Sequence, residues 1–232
     1  MKNVNIMNRV IRYMMLWVML LYVGPLFAQQ ELRLPSTLGS NMVVQQNARL
    51  NVWGWSAPDA KITVEASWAR KPIKTSANGK GEWSVSLRTP AASYDEQSII
   101  VTSGHEQVSM TNVLVGEVWL CSGQSNMAWT VAQTLDLKAD LRKKSDKNRY
   151  IRLFNTGSVF AGEPQDDIEK VSWTTCNPES LGKFSAVGYA FGRKLHEELG
   201  VPVGLIDASY GGTVIEGWIP VETLEESRGR IG

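Results

Sequence analysis

The sequence predicts a mixed fold in which an antiparallel β-sandwich precedes an α/β domain. Over residues 31–113, short alternating runs are separated by turn signals at fairly even spacing, which is typical of a sandwich. After Val113, apolar strands alternate with helical patterns, which indicates a parallel sheet with crossovers. A third pattern covers the first 28 residues. We therefore divide the chain into segments 1–28, 29–112 and 113–232.

The first segment has the layout of a cleavable secretory signal peptide. Its charges are three cations near the start, and an unbroken apolar run follows over residues 13–23. Gly24-Pro25 breaks this run, and Ala28 then presents a small residue. A helix over that run would be roughly 16 Å long, about half of a bilayer core, so a membrane anchor is disfavoured. We expect a secreted or periplasmic protein with no integral membrane segment after cleavage.

Composition and charge do not point to nucleic acid or an anionic membrane as a partner. The 232 residues include 24 Lys and Arg against 23 Asp and Glu, with no long run of one sign. Cys121 and Cys176 could pair in an exported protein, but Cys121 ends a buried strand, and we favour free thiols. The two histidines, His105 and His196, have no metal-ligand spacing with the cysteines, so no metal site is predicted.

The second segment contains short β-runs with one buried and one polar face. They cover residues 41–45, 50–55, 61–67, 73–76, 82–87, 98–102 and 107–110. Trp53, Trp55, Trp68 and Trp83 also lie in this segment. These rings could form a carbohydrate platform, but we favour a place in the core or at a domain interface, since most large aromatics are buried.

The third segment predicts strands at 113–121, 150–154 and 203–206 and helices at 135–144 and 184–199. Lys183 or Ser185 marks the start of the longer helix, and Gly200 is its expected C-cap. The segment also ends in a charged, helix-like stretch over 222–230.

Two loops of the third segment carry candidate chemistry. The apolar strand ending at Cys121 runs into Ser122-Gly123-Gln124-Ser125, and a helix-compatible segment starts at Met127. Such a turn places a hydroxyl beside N–H groups at a helix N-terminus, where negative charge is stabilised. Ser125 is therefore a candidate nucleophile, with its own N–H and that of Asn126 as candidate oxyanion donors.

The second loop, residues 207–213, follows the strand 203–206. Parallel strands end at the same edge of a sheet, so this loop is expected beside Ser125. Gly211 or Gly212 can bring a backbone N–H close to a reacting carbonyl because neither has a Cβ. A plain glycine turn is the alternative for this loop considered alone.

These loops resemble two sequence blocks of the sialate O-acetylesterase family, within the SGNH (GDSL-like) group of ester hydrolases. Residues 119–127, WLCSGQSNM, resemble the nucleophile block, and residues 209–218, SYGGTVIEGW, resemble the second block. The likeness extends to segments 34–46, 176–179 and 184–189. It implies an SGNH-hydrolase-like, flavodoxin-type third segment and the removal of acetyl groups from sugar hydroxyls, typically on sialic acids. No cofactor is implied, because serine-based ester hydrolysis needs none.

The same resemblance implies that Ser125 is the nucleophile and that Gly211 or Gly212 is an oxyanion donor. Gln124 and Asn126 either contact the substrate or hold the turn. Trp218 and Glu216 are candidate supports of the second loop, and Glu216 is expected as a buried carboxylate that accepts backbone N–H bonds.

The chain departs from the family pattern towards its C-terminus. The family places a third block and an Asp-x-x-His after the second block, whereas this sequence has no Asp-x-x-His. We expect neither His105 nor His196 to be catalytic. We also expect a truncated α/β domain with an exposed apolar face, and a chain that is inactive and poorly soluble alone. A polysaccharide esterase of the acetylxylan type and a non-catalytic sugar-binding remnant stay open as alternatives.

Overall fold

The computed structural model describes residues 31–137, 146–157, 161, 163–168 and 170–228. The predicted signal peptide lies outside these residues, as does most of the helix predicted over 135–144. The strands are β1 Val43–Gln45, β2 Arg49–Trp55, β3 Lys61–Ala66, β4 Ile73–Ser76, β5 Glu82–Arg88, β6 Ser93–Ser103, β7 Glu106–Gly123, β8 Ile151–Asn155, β9 Thr174–Thr175 and β10 Val203–Ser209. The α-helices are α1 Ser125–Ala128, α2 Pro178–Gly182, α3 Ala186–Leu199 and α4 Val221–Arg228.

One large sheet runs through both halves of the chain. Its strand order is β4-β3-β6-β7-β10-β8-β9, with β1 also paired to β7, while β2 and β5 form a separate two-stranded ribbon. The pairs from β4 to β7 are antiparallel, and β10 is parallel to both β7 and β8. The fold is therefore mixed and rich in sheet, with few helices.

Strand β7 joins the antiparallel and the parallel parts of this sheet. The sequence predicted two separate strands, 107–110 and 113–121, but both belong to one strand of 18 residues. Asn112 adopts φ +53°, and the pairing with β6 shifts register there, as expected of a β-bulge. The strand thus continues through Thr111 and Asn112, the two polar residues that separate the predicted strands. The boundary proposed between residues 112 and 113 falls inside β7, and the division into domains stays a prediction.

The β2–β5 ribbon packs over the antiparallel part of the sheet. Side chains alternate along β5, so Trp83, Val85 and Leu87 face inwards. They join one apolar cluster with Val64 and Val101 of the large sheet, both of which are fully buried. Burial of this many apolar side chains is the main stabilising contribution in this half.

The four tryptophans do not share one environment. Trp55 and Trp83 are buried, as the preferred interpretation predicted, whereas Trp53 and Trp68 are half-buried. Trp68 is held through its indole N–H, which donates to the Arg88 carbonyl oxygen at 3.0 Å.

Helix α3 covers one face of the parallel strands. Ser185 caps it by accepting from the N–H of Gly188 at 3.0 Å, and Gly200 ends it at φ +64°, as predicted. Cys121, beneath this helix, and Cys176 are both buried, and no disulfide joins the two. In the part of the chain described, no helix is both long and apolar enough to cross a bilayer.

Gly116 lies where the two parts of the sheet meet. Its carbonyl oxygen accepts from the N–H of Gln46 at 2.8 Å, and the neighbouring Glu117 N–H donates to the Pro202 carbonyl at 2.9 Å. A Cβ on Gly116 would lie 2.0 Å from that Pro202 oxygen. Only glycine therefore lets the segment before β10 approach β7 this closely.

Large apolar side chains remain exposed on the parallel part of the sheet. Trp119 is 43% exposed, and it packs edge-on against Phe191 of α3 with ring centroids 5.1 Å apart. Leu120, on the opposite face of β7, is 65% exposed. Association or poor solubility of the isolated chain stays a prediction.

Candidate active site

The candidate site lies at the carboxyl edge of the parallel strands. Residues Val203–Ser209 of β10 pair in parallel with 117–123 of β7, so that Ser209 lies opposite Gly123. Both loops predicted to carry chemistry therefore leave the sheet at the same edge, as expected from the sequence. Ligands of open α/β sheets bind at such edges.

The first loop turns from β7 directly into a helix. Gly123 adopts φ +142°, a conformation that side chains disfavour, and Gln124 occupies the N-cap position of α1. Ser125 and Asn126 are the first two residues of α1, and both are exposed. The first N–H groups of a helix have no acceptor within it, so these two donors are available for another acceptor beside the Ser125 hydroxyl.

The second loop lies against the first at Ser125. A Cβ built on Gly211 would lie 3.5 Å from the Ser125 Cα and 3.6 Å from its Oγ. The Gly211 backbone thus packs directly against Ser125. Gly212 adopts φ +79°, which bends the loop at the next residue.

Two hydrogen bonds hold these loops together. The N–H of Tyr210 donates to the Gly123 carbonyl at 2.9 Å, and Gln124 Nε2 donates to the Thr213 carbonyl at 2.7 Å. The Gln124 side chain therefore joins the two loops. Asn126 lies at the exposed start of α1 beside Ser125.

The supports predicted for the second loop differ from one another. Trp218 donates from its indole N–H to Thr213 Oγ1 at 2.8 Å, and that hydroxyl donates to the Tyr210 carbonyl at 3.1 Å. Glu216 was expected as a buried carboxylate, and this prediction is wrong. The residue is exposed, because the first three residues of the 3₁₀ turn Ile215–Trp218 lie at the surface.

Asp207 is a buried carboxylate beneath the second loop that sequence reasoning did not single out. It is 6% exposed, and its side chain accepts from Ser209 Oγ at 2.6 Å and from the Ser185 N–H at 3.3 Å. Burial raises the pKa of Asp207, against the opposing effect of these hydrogen bonds. Burial also raises the pKa of the nearby Cys121 thiol to about 11, with a smaller contribution from the Asp207 charge. The sequence feature that could have indicated this buried carboxylate is a single acidic residue within an otherwise mostly apolar strand.

Asn155 ends β8 at the same edge and was also missed. Its register partner on β10 is Asp207, and its side chain accepts from the Gly157 N–H at 2.8 Å and donates to the Lys183 carbonyl at 3.3 Å. A cavity of about 490 Å³ opens beside it, with Thr174, Lys183 and other residues in its lining. The site edge therefore extends over three neighbouring parallel strands.

Neither histidine of the chain lies at this edge. Ser185, the N-cap of α3, contacts Asp207, but His196 is eleven residues further along, roughly 16 Å towards the other end of the strands. One of its ring nitrogens, Nδ1, is 2.6 Å from the Val201 carbonyl oxygen. His105 is exposed at the hairpin before the start of β7, the far end of that strand from Ser125. Among the described residues, no cluster of three or more His, Cys, Asp or Glu could hold a metal ion.

Comparison with known proteins matches this region to a carbohydrate esterase family. Residues 115–227 match the family model for the sialic acid-specific acetylesterases, a carbohydrate esterase family. Sialate O-acetylesterase from Mus musculus is 33% identical over 211 residues, and that from Homo sapiens is 31% identical over 208 residues. A carbohydrate acetylesterase from Xanthomonas citri has a similar crystal structure, with a TM-score of 0.77 and 33% sequence identity.

These similarities cover most of this chain but less than half of each relative. The aligned part is 83% of this chain in all three cases. It is 38% of the mouse protein, 40% of the human protein and 44% of the Xanthomonas citri chain. The chain thus spans about two-fifths of the length of the curated relatives it matches.

Proposed function

Because this chain belongs to the sialate O-acetylesterase family of carbohydrate esterases, we propose that it carries the nucleophile of a carboxylic ester hydrolase acting on O-acetylated sugars. The single observation that carries the proposal is the exposed hydroxyl of Ser125 at the start of α1, with the Gly211 backbone packed against it. A serine in this position can attack an ester carbonyl while backbone N–H groups bind the developing oxyanion.

The reaction proceeds in two steps. Ser125 Oγ forms a bond to the acetyl carbonyl carbon and loses its proton to a base, and the sugar oxygen leaves as a hydroxyl after taking up a proton. Water then attacks the acetyl-serine, which releases acetate and restores the Ser125 hydroxyl. The N–H of Asn126 and that of Gly211 or Gly212 bind the carbonyl oxygen in both steps. Gln124 keeps the two loops in place through its bond to Thr213.

Neither histidine of this chain is the general base of this reaction. His105 and His196 lie away from the Ser125 edge, so neither can take the proton from its hydroxyl. The chain spans about two-fifths of its curated relatives, and we propose that an Asp–His pair provided by further sequence completes the site. The 232-residue chain alone should release acetate far more slowly than a protein of the relatives' length.

The finer architecture is part of the same proposal. The antiparallel part of the sheet and the β2–β5 ribbon form the β-sandwich of segment 29–112, and the parallel strands with α3 form an incomplete SGNH-hydrolase-like α/β domain. The apolar N-terminal segment directs secretion or periplasmic export.

The substrate we propose is an O-acetylated sialic acid, since the family model and the mammalian relatives carry that description. The Xanthomonas citri neighbour is described only as a carbohydrate acetylesterase, which keeps acetylated xylan as the second candidate substrate. A sugar-binding protein without catalysis is the alternative of another class.

Acetate release from O-acetylated sialic acid and from acetylated xylo-oligosaccharides tests these candidates side by side. With the protein at its native length, Ser125→Ala should lower turnover by about a thousandfold or more without loss of folding. Ser122→Ala is the matched control, because Ser122 is an exposed serine three positions earlier, and it should leave turnover within about twofold. If the unaltered protein binds sugar but releases no acetate, and Ser125→Ala binds equally well, the binding-protein alternative replaces the esterase.

A further inference from the structure

A groove of about 540 Å³ lies between the β2–β5 ribbon and the end of β4, away from the Ser125 edge. Its lining includes Asn51 and Trp53 of β2, Ser84 of β5 and Asp166 from the segment after β8. We propose that this groove binds a neutral saccharide. None of the described residues that line it belongs to the two loops around Ser125, so the proposal does not depend on the esterase reaction.

Trp53 supplies an aromatic surface whose position is fixed by its neighbours. Its ring meets Trp55 edge-on, with centroids 5.0 Å apart and planes at 63°. Trp55 is in turn covered by the Arg33 guanidinium at 3.8 Å from its ring centroid, and Arg33 pairs with Asp167 at 3.5 Å. An edge-on pair leaves at least one face of Trp53 free of Trp55, and Trp53 itself is only half-buried. A flat apolar ring of this kind suits the C–H face of a sugar.

The walls of the groove offer hydrogen-bonding groups of the kind that sugar hydroxyls use. They include the hydroxyls of Thr75, Ser76 and Ser84 and the amide of Asn51. The buried wall includes Trp83, which is 4% exposed and belongs to the apolar cluster beneath the ribbon. Its ring therefore forms a rigid apolar floor beneath the polar groups that line the groove.

Charge selects a neutral ligand over an acidic one. Glu82 and Asp166 both line the groove. No lysine or arginine is found among its described lining residues, and two cations in contact with the lining are engaged there: Lys61 Nζ donates to Ser76 Oγ at 3.2 Å, and Arg33 covers Trp55 and pairs with Asp167. One Glu82 oxygen accepts from Asn78 Nδ2 at 2.9 Å, which orients the carboxylate. These carboxylates can accept from sugar hydroxyls but would repel the carboxylate of a sialic acid. The groove therefore takes neutral hexose or pentose units, and its volume lies in the range of small-molecule sites.

Saturation-transfer NMR and calorimetry on the protein at its native length test this assignment. The probes are neutral xylo- and cello-oligosaccharides, with sialic acid and choline for comparison. We expect binding of a neutral oligosaccharide, and Trp53→Ala should weaken it by at least about tenfold. Trp119→Ala is the matched control, since Trp119 is also half-exposed and also has one edge-on aromatic partner, and it should leave the affinity unchanged.

A second variant covers the case in which Trp53→Ala disturbs folding. The double substitution Asn51→Ala with Ser84→Ala removes exposed polar groups only, and it should weaken binding severalfold with an unchanged melting temperature. The assignment fails if no neutral saccharide binds at about 10 mM, or if Trp53→Ala weakens the binding of choline or sialic acid but of no neutral saccharide. It also fails if both sets of variants bind as well as the unaltered protein.

Discussion

Replacing Gly116 with alanine should destabilise the protein strongly, although the change adds one methyl group. The added Cβ would lie 2.0 Å from the Pro202 carbonyl oxygen, well inside van der Waals contact. Because this neighbour is backbone, relief requires the segment before β10 to move away from β7 by roughly 1 Å. Such overpacking costs about 1–3 kcal/mol.

The same movement would lengthen the hydrogen bond from Glu117 N–H to the Pro202 carbonyl, now 2.9 Å. Loss of one such bond costs about 0.5–1.5 kcal/mol. Together these effects predict a loss of about 2–4 kcal/mol in the free energy of unfolding, and a melting temperature lower by roughly 5–15 °C.

Urea titration followed by circular dichroism measures this loss, with Gly39→Ala as the control. A Cβ on Gly39 would meet no atom within 4 Å, so this variant should stay within about 0.5 kcal/mol of the unaltered protein. If Gly116→Ala were equally mild, the close approach of Pro202 to β7 would not limit the choice of residue, and the reasoning would be refuted.

Two further predictions concern the Ser125 edge. Gly211→Ala adds a Cβ at 3.6 Å from Ser125 Oγ, a distance that should be tolerated without unfolding. The methyl group should crowd the acyl group and its oxyanion donor and lower kcat by about 10²-fold or more in acetate-release assays. An unchanged kcat would exclude Gly211 from the reaction centre. Because burial raises the Asp207 pKa in the folded state, its contribution to stability is present below the unfolded pKa of about 4 and is lost as the pH rises through the folded pKa. The urea midpoint of Asp207→Asn should therefore rise relative to that of the unaltered protein as the pH increases from about 4 to about 8. A difference between the two midpoints that does not change with pH would contradict this account.

The local patterns of the sequence were sufficient to predict the edge that carries Ser125. A strand that ends in Gly123 and a second strand followed by Gly211 and Gly212 each predict a turn at the carboxyl end, and parallel pairing brings the turns together. The caps of α3, Ser185 and Gly200, were predictable for the same reason, since capping depends on residues within one turn of the helix.

Features that depend on distant contacts were not predicted. Asp207 is buried because the start of α3, 22 residues earlier in the chain, packs over it and donates to it. The polar pair at 111–112 indicates a break when read locally, whereas pairing with β6 absorbs it as a bulge. The exposure of Glu216 was not predicted either, because it depends on where the turn Ile215–Trp218 lies on the folded protein.

The length of β7 couples the position of Ser125 to a distant part of the molecule. Pairing with β6 over the first half of this strand determines its alignment in the sheet, and the second half pairs with β10 in the same frame. A slip of one residue among the antiparallel strands would therefore displace Ser125 along the strand axis by about 3.3 Å and turn every β7 side chain to the opposite face. Substitutions in the antiparallel strands, far from Ser125, can thus alter the proposed reaction by changing strand registration alone.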